Sequence, residues 1–192
     1  MAKTKEIHMK NLIACALITA VPAIGMAGEL KSGPQAGARL APFYVTKCAG
    51  AEDDGVKEGK NLCYRCRNGS RPQVVVFTRS TDAKVLELVK KIDNAIATHE
   101  DDGLTAFVNL MGEDKDDLSA AAKKLAADSS SKNVPIVVPN EFENGPDNYG
   151  INPKAAVTIV LANESTVKGS IAVADVSKLE ADSVIKSIAK ML

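Results

Sequence analysis

The chain has 192 residues, 45 % of them hydrophobic, enough for one globular domain with a substantial core. Twenty-four Lys and Arg balance twenty-four Asp and Glu, so the net charge is zero and the basic surface that nucleic acid requires is missing. There is no tryptophan and aromatic residues make up only 4 %, which argues against a platform for stacking bases or sugars.

Lys3, Lys5 and Lys10 precede the apolar run Leu12 to Ala23, and Gly25-Met26-Ala27 supplies small residues at a cleavage position. Residues 1–27 therefore read as an export signal, too short an apolar run for a stable membrane anchor. Cys15 lies near the start of that run rather than after it, which does not suit lipid attachment. Removal at Ala27 leaves 21 Lys and Arg against 23 Asp and Glu, one histidine (His99) and three cysteines (Cys48, Cys63, Cys66). Export implies an oxidising compartment, where an odd cysteine count leaves one thiol free or shared.

Residues 28–41 read as an extended lead, and Pro42 to Val45 as a short strand. Residues 48–72 form a long polar insertion holding the three cysteines, and so long a loop is usually functional or tied down. The uninterrupted apolar run Val74 to Phe77 is the pattern of a buried parallel strand. Val85, Val89, Ile92 and Ile96 then fall at helical spacing, with Ser80 or Thr81 placed to cap the start and Gly103 beyond the end. A strand over Leu104 to Leu110, a helix over Asp114 to Ala127 and a strand over Val134 to Val138 follow. Residues 141–153 form a turn-rich loop. Two strands, Val157 to Leu161 and Val167 to Val173, flank a turn at Asn163-Glu164, and a helix over Ser177 to Met191 closes the chain. This order predicts an α/β domain over 42–192 with a central mixed sheet, parallel crossovers and a terminal hairpin plus helix.

The order of elements resembles the thioredoxin superfamily, nearest its peroxiredoxin-like (redoxin) branch. Gly37-Ala38-Arg39-Leu40-Ala41-Pro42-Phe43 is similar to the G-x-x-A-P-x-F motif at the start of redoxin domains, with Leu40 intervening. The block Cys63-Tyr64-Arg65-Cys66-Arg67-Asn68-Gly69 before Val74-Val75-Val76-Phe77-Thr78-Arg79 resembles exported bacterial thioredoxin-like proteins. The resemblance implies a thioredoxin-like fold and thiol–disulfide chemistry. The departures from it are specific. Thioredoxins carry Cys-x-x-Cys after the first core strand, whereas here the pair precedes it. The place of the thioredoxin cis-proline is held by Val157, and residues 78–82 contain no cysteine of the peroxiredoxin kind.

Cys63 and Cys66 are spaced so that their sulfurs can meet across one turn, and Arg65, Arg67 and Arg71 would favour a thiolate there. Gly69 and Pro72 argue against a helix following Cys66, so thiolate stabilisation by a helix start is expected to be missing. Two other readings stay open. Cys48 could pair with Cys63 or Cys66 as a plain staple across about 15 residues, stabilising by roughly 3 kcal/mol. Alternatively Cys48, Cys63 and Cys66 could form a thiolate metal site, with His99 a distant fourth candidate. Arg79, Ser80 and Thr81, at the junction of strand and helix, form a candidate anion site in the crevice where α/β sheets bind ligands. No cofactor is called for. The expected function is thiol–disulfide exchange on thiols or disulfides of proteins or small molecules, outside the cytoplasm. The alternative is a redox-silent binding module with structural cysteines.

Overall fold

A computed structural model describes residues 30–192. The export signal expected over 1–27 lies outside the described residues. Seven strands form one mixed sheet: β1 (Val45–Ala49), β2 (Asn61–Leu62), β3 (Gln73–Thr78), β4 (Thr105–Leu110), β5 (Ile136–Pro139), β6 (Val157–Asn163) and β7 (Thr166–Val173). Their spatial order is β2-β1-β5-β4-β3-β6-β7. The inner three, β5, β4 and β3, run parallel, and every neighbour outside them pairs antiparallel.

The apolar run in β3 is continuous because both faces of this strand are covered: all six of its residues are buried. Alternation sends Val74 and Val76 to one core and Val75 and Phe77 to the other. Three helices cover the first face: α2 (Ala83–Thr98), α3 (Lys115–Ser129) and α4 (Ala181–Met191). α2 buries Val85, Leu88, Val89, Ile92 and Ala95, a stripe at i, i+3, i+4, i+7 and i+10. Its N-cap is Asp82, one place beyond the expected Ser80 or Thr81, because Ser80 Oγ instead accepts the Asp82 N–H at 3.0 Å. α3 begins where Asp114 accepts the N–H groups of Asp116 and Asp117. The closing helix starts at Ala181, not Ser177, since Asp175 caps a separate single turn over Val176–Lys178.

The second face is covered by the lead, by a one-turn helix α1 (Tyr64–Asn68) and by the loop around Tyr149. Here the expected boundaries change. The strand predicted at Pro42 begins at Val45, because Phe43 turns into the core against Phe77, Phe107 and Tyr149. The expected insertion over 48–72 is built into the domain. Cys48 belongs to β1, which pairs with β5 on one side and with β2 on the other, and α1 packs below. The segment reads as polar because its buried contacts come from isolated residues rather than from a periodic stripe.

The hairpin turn falls at Glu164-Ser165, one residue later than predicted, with φ 53° and 61°. Two left-handed residues make the primed turn that matches strand twist. Further along, Leu161 opposes Gly169 while Ala162 opposes Val167, so Lys168 is the extra residue of a bulge in β7. The lead lies along the outer side of β7: Gly37 N–H donates to Val167 O and Val167 N–H to Ala38 O.

Candidate functional site

Cys63 and Cys66 are joined as a disulfide, and Cys48 is the free cysteine among the described residues. Contrary to the expectation that Gly69 and Pro72 exclude a helix, Cys63 is the N-cap of α1 and the pair lies in its first turn. Gly69, with φ 63°, is the residue after the last helical one. It therefore limits the helix to one turn instead of preventing it. The Cys66 N–H donates to Cys63 Sγ at 3.0 Å. The two cysteines differ in exposure: Cys63 is 9 % exposed, while Cys66 is an exposed residue.

Tyr64, between them, fixes the helix to the sheet. Its ring stacks on Phe107 with centroids 5.7 Å apart, and its hydroxyl donates to Asp54 Oδ2 at 2.6 Å. Asp54 Oδ1 accepts Lys47 Nζ at 2.8 Å, and Lys47 is only 2 % exposed. The ammonium's other two donors reach Ala51 O and Val56 O, so this buried charge is fully satisfied. Burial first, and then the hydrogen bond to Asp54 and the charge of Asp54, hold the Tyr64 phenol far above its ordinary pKa. Neither Lys47 nor Asp54 carried a sequence signal, since a Lys and an Asp seven apart match no motif. The one available clue was a lysine inside a strand next to a cysteine.

Around the pair, Arg65 Nε donates to Leu40 O, an Arg67 amine to Asp54 O, and Arg71 Nε to Asn68 O. All these acceptors are neutral. Among the described residues no arginine takes part in an ion pair, although seven other pairs form. Arg65 and Arg67 thus flank Cys66 in sequence without an ion pair, while Asp53 and Asp54 line a groove together with Arg67 and Arg71. Tyr64, Arg67, Asn68 and Arg71 border this groove of about 350 Å³, whose far wall includes Leu104, Thr105 and Pro135. Those residues lie at the starting end of the parallel strands, so α1 sits over that end.

The other candidate residues lie elsewhere. Cys48 faces α3, beside Ser119 and Lys123, in the core opposite to that of Tyr64. Strand alternation explains it: Lys47 points toward α1, so its neighbour points away. Cys48 forms no staple to Cys63 or Cys66, and the three thiols are not gathered into one metal site. Burial pushes the Cys48 thiol up from its ordinary pKa. His99 caps the end of α2 and contacts Asp102. Arg79, Ser80 and Thr81 follow the finishing end of β3, where Thr78 pairs with Val157. Arg79 donates to Glu143 O, its Nε and remaining amine are enclosed without partners, and Ser80 bonds Thr78 and Asp82.

This sheet, with its inner parallel strands and antiparallel hairpin, superposes on solved redox proteins. Mycobacterium tuberculosis AhpC aligns with a TM-score of 0.59 at 13 % identity, covering 82 % of this chain and 98 % of that one. A Bacteroides thetaiotaomicron protein assigned by inference as a protein disulfide isomerase aligns at 0.58 and 16 % identity, over 85 % and 94 %. A Chlorobium tepidum protein likewise assigned as the thiol:disulfide interchange protein DsbE aligns at 0.57 and 11 %, over 81 % and 96 %. The fold is that of the thioredoxin-like redoxins. No protein-family model and no curated protein matches the sequence. Within this redoxin fold the strand end that leads into α2 carries Arg79-Ser80-Thr81, and the sulfurs sit on α1 at the opposite end.

Proposed function

We propose that this thioredoxin-like protein exchanges disulfides with thiols through Cys63 and Cys66, and that it works outside the cytoplasm after removal of residues 1–27. The observation that carries the reading is a disulfide closed across one helical turn, with Cys66 exposed and flanked in sequence by Arg65 and Arg67, neither of which forms an ion pair. Positive charge lowers a thiol's pKa and makes its thiolate a better leaving group. A purely structural staple has no use for such charge. The disulfide isomerase and interchange assignments of two structural neighbours point the same way.

A second reading is a redox-silent binding module. It is favoured by the lack of any cysteine at the crevice of Arg79, Ser80 and Thr81. Titration of the Cys63–Cys66 pair against glutathione buffers separates the two. Exchange requires a potential well above the roughly −300 mV typical of structural disulfides. A bond that resists dithiothreitol sinks the exchange reading. Export is checked by the mass of the secreted protein, which should begin at or near Gly28. A product retaining Met1 in the cytoplasm would overturn it.

A further inference from the structure

We infer that Cys66, the second cysteine of the pair, is the sulfur that partners attack, that Cys63 is the leaving sulfur, and that the preferred partner is an anionic thiol. This rests on the exchange reading above and adds its direction and its substrate class. Attack on a disulfide proceeds in line with the S–S bond, so the attacked sulfur must have open solvent on the side away from its mate. Cys66 is exposed, and Cys63 is 9 % exposed, next to the buried Tyr64. The leaving sulfur must carry the electron pair. Cys63 Sγ already accepts the Cys66 N–H at 3.0 Å, a hydrogen bond that strengthens when the sulfur becomes anionic. Access and leaving-group stabilisation thus assign the same roles.

A partner thiolate bonds to Cys66 Sγ, the Cys63–Cys66 bond breaks, and its electron pair stays on Cys63 as a thiolate. A second thiolate of the partner then attacks the partner's own sulfur and expels the Cys66 thiolate. The partner gains a disulfide, and the protein gains two electrons and takes up protons as its thiols form.

The class of partner follows from the rim. Arg65 and Arg67 flank Cys66 in sequence, each bonded only to neutral acceptors, and in the groove beyond them Arg71 and Lys132 accompany Asp53 and an Asp54 already paired with Lys47. A thiol carrying a carboxylate or sulfonate is drawn to such a rim, and the attraction weakens as salt is added.

Two measurements test this. In the first, the oxidised wild-type protein is treated with 2-mercaptoethanesulfonate, acid-quenched and cut with trypsin, whose cleavage after Arg65 puts the two cysteines on separate peptides. The adduct is expected on Cys66. An adduct on Cys63 overturns the proposal. In the second, Cys63→Ser and Cys66→Ser are reduced and reacted with the anionic disulfide dithiobis(nitrobenzoate) and the neutral dithiodipyridine. Cys63→Ser should react at least about tenfold faster than Cys66→Ser. Its preference for the anionic reagent should fall with salt. Faster reaction of Cys66→Ser restores the usual order of the two cysteines, and a preference insensitive to salt removes the anionic partner. A wild-type disulfide that neither 2-mercaptoethanesulfonate nor dithiothreitol opens refutes the exchange reading itself, a result distinct from either of these.

Discussion

The two faces of the sheet are built in different ways. One is covered by three helices over an aliphatic core of valine, leucine and isoleucine. The other is covered by an extended lead, one helical turn and a loop, over a core that contains Phe43, Tyr64, Phe77, Phe107 and Tyr149. Long helices bring their own hydrogen bonds and need only an apolar stripe. A single turn has almost no stability of its own. It must be held by large rings and by polar anchors from outside it. Hence the aromatic contacts and the Lys47–Asp54–Tyr64 chain gather on the face that carries the disulfide. The site's geometry depends on these tertiary contacts, and local helix propensity contributes little.

The largest test of this difference is a pair of truncations. Phe107→Ala should lower unfolding stability by about 3–5 kcal/mol. It should also speed reduction of the disulfide by dithiothreitol, because Tyr64 loses its stacking partner. Leu88→Ala on the helical face should cost about 2–5 kcal/mol and leave that rate unchanged. Equal effects on reduction would erase the distinction between the faces. Lys47→Ala should cost about 3 kcal/mol or more, because it leaves Asp54 without its cation in a largely enclosed site. Denaturant titration checks this, and a change under 1 kcal/mol would mean the ion pair does not anchor the helix.

Alkaline pH gives the next effect. Burial raises the phenols of Tyr64 and Tyr149 well above their unfolded value of about 10. Their contribution is complete below that pH and is lost above it, since only the unfolded chain then releases the protons. Stability should fall by about 1.4 kcal/mol per pH unit for each ring above pH 10. The buried Cys48 thiol adds a slope of the same sign, so Tyr64→Phe should remove one ring's share of the total, and should itself cost about 1.5 kcal/mol at neutral pH. Urea unfolding between pH 9 and 11 reads both quantities. The smallest effect is expected at Cys48. Cys48→Ala should leave the reduction rate of the pair unchanged, and iodoacetamide should not label Cys48 in the native protein. Rapid labelling there would mean the strand opens.

Much of the fold was legible. Val74 to Phe77 could be read because a strand buried on both faces has no polar alternation to disguise it, and α2 because its stripe repeats over four turns. The cysteine pair was legible from its spacing. Its helix was not, since five residues are too few to show a period and Gly69 and Pro72 read only as breakers. The face that Cys48 occupies depends on strand parity, which the misplaced start at Pro42 could not supply. The Lys47–Asp54–Tyr64 chain joins three segments that only the folded backbone brings together.

The treatment of the sheet edges bears on how a partner can approach. One edge ends after the two residues of β2. The other, β7, is occupied at its start by the lead through Gly37, Ala38 and Val167, and is kinked by the extra Lys168. Where the lead pairs with Val167 and where β2 ends, the main-chain groups on which an extended peptide could add itself as another strand are taken or missing. At those places another molecule can meet this protein only through side chains. The same covering keeps those main-chain groups from pairing with another copy of the chain.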